Sequence, residues 1–242
     1  MNNFKAIFFK QTASQLRSPA LIIQAILFLG MMVVFSALAQ DNDCEDCIPA
    51  IECAECAELA ALRPNPSIGG MFTVMFVGMT LMGTASGLVA EDKTTNNLRF
   101  MTMAGVKPRH YLFGTFLSLI MITFFILPIF GLVSGYWALL PRFMAITFSG
   151  GFVSVLLGLA LGLSKIPMLS FPISMVIGMA PMLSTFNDNM LVILQFLFTQ
   201  RVNLAVSNLA EPMGQHFLII GLNGLVALIF FIFMHRRGEL RW

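Results

Sequence analysis

The sequence predicts an all-α membrane protein: six transmembrane helices, an N-terminal amphipathic interfacial helix, a short cytoplasmic helix after the second span, and a re-entrant outer segment before the sixth. Three observations carry this. The chain is 57% hydrophobic and 11% charged, with 24 Phe and 18 Met in 242 residues, whereas a soluble globular chain carries about 25% charged residues. Its apolar runs approach the roughly 20 residues needed to cross a hydrocarbon core as a helix, and they are continuous, without the polar alternation of barrel strands. Its basic residues gather on alternate connections. The net charge of +2 is too small to point to nucleic acid.

The apolar runs cover 19–38, 68–89, 111–137, 143–163, 167–186 and 217–233. Six spans with short connections leave little chain for a soluble domain, so residues 1–242 form one membrane domain. A further apolar stretch, 190–198, is too short to cross and runs into Gln200, Arg201 and Asn203. The segment 187–212 is therefore expected to be interfacial or re-entrant on the outer side, and leaves the parity unchanged.

An even count with the N-terminus inside places Lys5, Lys10, Arg17, Lys93, Arg99, Lys107, Arg109, Lys165, Arg236, Arg237 and Arg241 in inner segments, and only Arg63, Arg142 and Arg201 outside. Cytoplasmic connections carry the excess of Lys and Arg. The expected location is thus the plasma (inner) membrane, multi-pass, with both termini cytoplasmic. Ala37-Leu38-Ala39 resembles a signal-peptidase site, but the basic region before it is long and the apolar run exceeds a usual signal core. The first span is expected to stay.

Residues 1–18 put Phe4, Ile7, Phe8 and Leu16 near one helical face, with Lys5, Lys10 and Arg17 on the headgroup side. This reads as an amphipathic helix on the inner leaflet, with membrane lipids as its partner. Within the six spans the polar groups near a midplane are Ser, Thr and Asn, such as Thr80, Thr123 and Asn223, rather than ionisable residues. Coupling to a proton or ion gradient needs such residues or unwound binding sites, so another energy source is expected. Glycines at 78–87, 150–162 and 221–224 allow close helix approach, within the chain or with a second subunit. Pro167, Pro172 and Pro181 predict a bent fifth helix. The Phe and Met content suits core and lipid contact, or a pliable path for an apolar cargo.

The densest polar cluster on the inner side runs from Glu91 to Arg109. Thr94 or Thr95 is positioned to cap a short helix containing Leu98, Phe100 and Met101, Gly105 to end it, and Pro108 to start the next element. Such a helix is either a solvated connection or a surface that a partner covers. The order Glu91, Lys93, Thr94, Leu98, Met101, Met103, Gly105 and Pro108, an acidic-basic start followed by a short helix and a Gly/Pro restart, resembles the ABC-2 type ABC transporter permease family. The six spans, the amphipathic start, the re-entrant piece and the basic tail extend the resemblance over essentially the whole chain. Asn96 and Asn97 stand in a region where the family often has glycine.

The resemblance implies that the chain is the permease subunit of an ATP-driven exporter of a peptide, lipid-like or drug-like substrate. A second permease copy, or a related permease, would enclose the path with it. The segment 91–107 would be the coupling segment, with Glu91, Asp92, Lys93, Thr94, Asn97, Leu98, Arg99, Met101 and Thr102 as the residues that meet a cytoplasmic ATP-binding subunit. ATP and Mg would be bound by that subunit. This chain lacks the G-x-x-x-x-G-K-[ST] phosphate loop and is expected to have no ATPase site or cofactor of its own.

Cys44, Cys47, Cys53 and Cys56 lie together in the acidic outer loop 40–67 as C-x2-C-x5-C-x2-C. Outside an inner membrane, one or two disulfides stapling a small cap is the first reading, with connectivity open. Tetrahedral zinc is the second, although five residues between the pairs is a tight span. Free thiols, or thiol exchange with a client disulfide, are the third. These last two define the rival function, a membrane redox or metal-binding protein.

Overall fold

The computed structural model describes residues 3–17, 19–43, 66–164, 170–186, 192, 194–210 and 212–239. Cys44, Cys47, Cys53, Cys56, Arg63, Lys165, Pro167 and Arg241 lie outside the described residues, as does 187–191. Among the described residues there is no strand. The helices are α1 (Asn3–Arg17), α2 (Pro19–Asp43), α3 (Pro66–Met75), a π-helical segment (Phe76–Leu81), α4 (Met82–Thr94), α5 (Asn97–Met103), α6 (Pro108–Val133), α7 (Leu140–Gly162), α8 (Ser170–Gly178), α9 (Ala180–Phe186), α10 (Phe198–Ser207) and α11 (Gly214–Glu239).

Among the described residues, five continuous helical stretches are long and apolar enough to cross a membrane: Leu21–Leu38, Ile68–Thr94, Pro108–Val133, Leu140–Gly162 and Gly214–Arg236. They coincide with five of the six apolar runs. The third ends earlier than its run because Gly135 adopts φ +79°. There Tyr136 N–H donates to the Gly131 carbonyl and Gly135 N–H to that of Leu132, a Schellman closure that left-handed glycine makes possible. Burial pushes the Tyr136 phenol up to about 12, and its ring stacks on Phe143 at 5.3 Å.

The 167–186 run differs from the single bent span expected of it. Its described part is two short helices, α8 and α9, parted at Met179. Pro172 lies two residues past Ser170, before which residues 165–169 are outside those described, whereas Pro181 removes the N–H that would meet the Ile177 carbonyl. The Thr199 hydroxyl donates to that carbonyl at 2.8 Å.

α7 is the centre of the bundle, packed by α4, α6, α10 and α11. Lipid tails are as apolar as leucine, so close packing rather than water exclusion must hold such helices together. Glycines supply the closeness: a Cβ on Gly158 would collide with the Met82 carbonyl, and one on Gly162 would come within 2.8 Å of the Ser86 carbonyl. Gly78 and Gly178 likewise meet backbone to backbone, joining the π-helical segment to the α8–α9 break. Phe76 in that segment stacks on Phe130 of α6 at 4.9 Å and meets Phe28 of α2 edge-on at 6.2 Å. These glycines are thus used inside the chain, whereas Gly87 and Gly221 face open space.

α1 is helical as expected but lies differently. Its buried residues include Ile7, Gln11 and Gln15, while Phe9 is exposed. Ile7 sits against Gly114, and the Thr12 and Ser118 hydroxyls hydrogen-bond at 3.0 Å. Contacts that advance together along both helices mean that α1 runs beside α6 in the same direction, rather than across the foot of the bundle. Gly114 is the reason, because a side chain there would press on Ile7.

Candidate functional site

Lys93, at the end of α4, reaches the end of α7 and donates to the carbonyls of Leu163 and Ser164 at 3.3 and 2.9 Å. A cation at a helix C-terminus meets carbonyls without intrahelical partners and the negative end of the helix dipole. One residue earlier, Asp92 accepts from the Tyr111 hydroxyl through one oxygen and from Asn97 Nδ2 at 3.2 Å through the other. Tyr111 is buried at the start of α6. Asp92 and Lys93 therefore tie the 91–109 segment to two different helices.

The short helix between these ties is bounded by backbone geometry. Asn96 takes φ +58°, a left-handed conformation that Asn and Gly tolerate and β-branched residues do not. This is the place where the family resemblance anticipates glycine. The expected capping by Thr94 or Thr95 is not what forms: both hydroxyls donate back to the Glu91 carbonyl, at 2.9 and 2.8 Å, and finish α4. Asn96 occupies the N-cap without a side-chain cap bond. The end follows expectation, since Gly105 is left-handed at φ +78°. Val106 N–H meets the Met101 carbonyl and Gly105 N–H that of Thr102, after which Pro108 begins α6 behind an extended Lys107.

An Asn96→Val variant should lower stability by about 1–2 kcal/mol, the left-handed penalty of a side chain unsuited to it, while Asn96→Gly should be near neutral. Thermal melting of the two variants in the same detergent measures the difference.

Side-chain exposure divides the nine residues named above. Glu91, Lys93, Thr94, Asn97 and Arg99 are exposed, and Asp92, Met101 and Thr102 are half-buried. Leu98 is buried at 5% exposure, packed into the chain's own core, whereas Phe100 and Met103 stand 66% and 67% exposed. The apolar surface available here is thus carried by Phe100 and Met103, with Leu98 as the anchor beneath. Sequence reading also missed Tyr111. A lone tyrosine three residues into a span, facing an aspartate at the end of another, was the available signal.

α1 and the last turns of α11 come to this end of the bundle. Ile7 lies beside Gly114, and His235 shares a cavity with Arg109 and His110. At the opposite end, Arg142 donates to the Leu209 carbonyl at 3.0 Å. Between the ends, α10 buries Phe198, Thr199, Gln200, Val202, Ala205 and Val206. Asn223 of α11 donates to the Phe196 carbonyl just before it at 2.9 Å, and Ser184 of α9 hydrogen-bonds Gln200 at 3.2 Å. Thr199 thus lies level with Ile177, Val202 with Gly150, and Val206 with Gly70, so α10 climbs from mid-bundle to the end opposite the 91–109 segment. No family model, curated protein or solved structure matches the chain.

Proposed function

We propose that this chain is the permease subunit of an ATP-driven exporter, working with a second permease copy or a related permease and powered by separate ATP-binding subunits. The observation that carries the reading is the 91–109 segment: a short helix tied to α6 and α7 by Asp92 and Lys93, with Phe100 and Met103 exposed on it. A rigid apolar knob beyond the membrane is what a partner needs in order to push on the bundle. A floppy loop would absorb the motion instead.

The basic residues support the orientation. Lys93, Arg99, Lys107, Arg109 and Arg236 belong to the end of the bundle that bears this helix, against Arg142 at the other, with Arg201 between them. By the excess of Lys and Arg on cytoplasmic connections, the first end faces the cytoplasm of a plasma (inner) membrane. We count α8 and α9 together as a sixth, broken crossing, and α10 with the turn before it as a re-entrant piece from the outer side. Irregular backbone at that depth is tolerated where protein covers it, as Thr199, Asn223 and Ser184 do here.

Purification in mild detergent tests the proposal. An ATP-hydrolysing subunit should accompany the chain, and Phe100→Asp with Met103→Asp should reduce its recovery by about tenfold or more, the loss of two buried apolar anchors. The variant should melt like the parent, since both side chains are exposed. Absence of any ATP-hydrolysing chain after crosslinking would sink the reading.

A further inference from the structure

A cavity of about 490 Å³ lies between α6, α7 and α11, at the end of the bundle that bears Arg109. That volume is within the range of sites for small ligands, about 300–1,000 Å³. Leu112, Leu156 and Leu159 form its floor and are buried. Phe113, Phe152 and Leu228 flank its mouth at 57%, 42% and 45% exposure, so it opens sideways, where bilayer hydrocarbon meets the bundle. Its lining is almost wholly apolar, and the residues at its edge that carry nitrogen are Arg109, His110 and His235. They stand at the ends of the apolar stretches of α6 and α11, where the headgroups of a bilayer around those stretches would begin. His110 Nδ1 is covered and has no hydrogen-bond partner.

The geometry points to a binding site for a glycerophospholipid with a net-negative headgroup, one acyl chain lying in the groove and the phosphate at the rim. The groove offers hydrocarbon along its length and cationic or N–H donors at one end only. A guanidinium matches phosphate geometry through paired N–H donors. No acidic side chain lines the groove; the closest acidic group along the neighbouring segment, Asp92, is engaged by Tyr111 and Asn97. Among the described side chains that line the groove, a choline or ethanolamine cation therefore finds no counter-charge, and the site favours a headgroup without one. Arg236, beside His235 in the sequence, adds positive charge to the same end. The site requires only that the chain sit in a bilayer. The proposed orientation adds that the lipid comes from the inner leaflet, and the ATP-binding partner plays no part.

Photo-crosslinking in nanodiscs decides it, using phosphatidylglycerol and phosphatidylcholine that carry the same diazirine acyl chain, with labelled peptides located by mass spectrometry. Label is expected on 112–116 and 228–231, with phosphatidylglycerol ahead by about fivefold, the contribution of roughly one well-placed cation at a membrane surface. Arg109→Gln with His110→Gln should keep the label and equalise the two lipids. Leu228→Trp, which closes the mouth, should remove the label from both peptides. Equal labelling by the two lipids in the parent would overturn the proposal, as would a preference that survives the rim substitutions. Label that persists in Leu228→Trp at an unchanged melting temperature would also overturn it. Should Leu228→Trp fail to fold, the rim variant decides alone, because Arg109 is exposed and outside the core.

Discussion

Replacing Gly158 by valine is expected to cost stability at or above the top of the roughly 1–3 kcal/mol range for overpacked sites. The reason is the identity of the neighbours. A Cβ at 158 would meet the Met82 carbonyl oxygen, and Ala85 Cβ at 2.7 Å; the first is backbone of a packed helix and cannot rotate aside. α7 and α4 would have to separate, and with them the pairing of Gly162 with Ser86 and the reach of Lys93 to Leu163 and Ser164. Gly87→Val is the control, since nothing lies within 4 Å of its added carbon, and it should melt close to the parent. Equal melting temperatures for the two variants would contradict the packing described for α7. Where Gly158→Val retains partial folding, its 91–109 segment should become the more protease-sensitive, because one of its two ties has been moved.

What the sequence made legible follows the range of each interaction. Hydropathy is local, so five spans stand out as five apolar runs, and Gly105 and Pro108 bracket α5 through rules that act within a few residues. Long-range facts are hidden. That Leu98 turns inward while Phe100 and Met103 turn outward depends on which side of α5 meets the bundle, and a seven-residue helix carries too little pattern to say. The buried Gln11 and Gln15 of α1, beside the expected Ile7, carry the packed stripe beyond the amphipathic expectation for the same reason: the stripe that packs is chosen by the groove Gly114 opens on α6, more than a hundred residues away. Asp92 and Lys93 were legible only as part of the acidic-basic start after the second span. Their partners, Tyr111 and two carbonyls at the end of α7, were out of reach. The four-cysteine motif is vivid in sequence, yet it was the exposure of two apolar residues on α5 that supplied the argument for function.

The α8–α9 break gives the other large effect, and it tests whether a proline is compensated from another helix. Pro181 leaves the Ile177 carbonyl without its helical donor, and Thr199, 22 residues away, supplies one. Thr199 is itself fully buried, so solvent has no ready access to the carbonyl it serves. Thr199→Val, nearly the same shape, should therefore cost about 1–3 kcal/mol, the penalty of an unsatisfied buried polar group. Pro181→Ala restores an N–H that the Ile177 carbonyl can accept. In that background the cost of Thr199→Val should shrink by a kcal/mol or so, a coupling that a double-mutant cycle of melting or chemical unfolding measures. Additive costs would mean that the two residues do not share the carbonyl. The coupling also bears on motion, because the break abuts the π-helical segment at Gly78, and π-helical turns are concentrated at functional sites. With an alanine in place of Pro181, α8 and α9 can join into one continuous helix and relieve the need for Thr199. Under the export function proposed above, with the break as the place where α8 moves against α4, the same Pro181→Ala variant should be more stable than the parent and slower in ATP-driven export, with recovery of the proposed ATP-binding subunit unchanged.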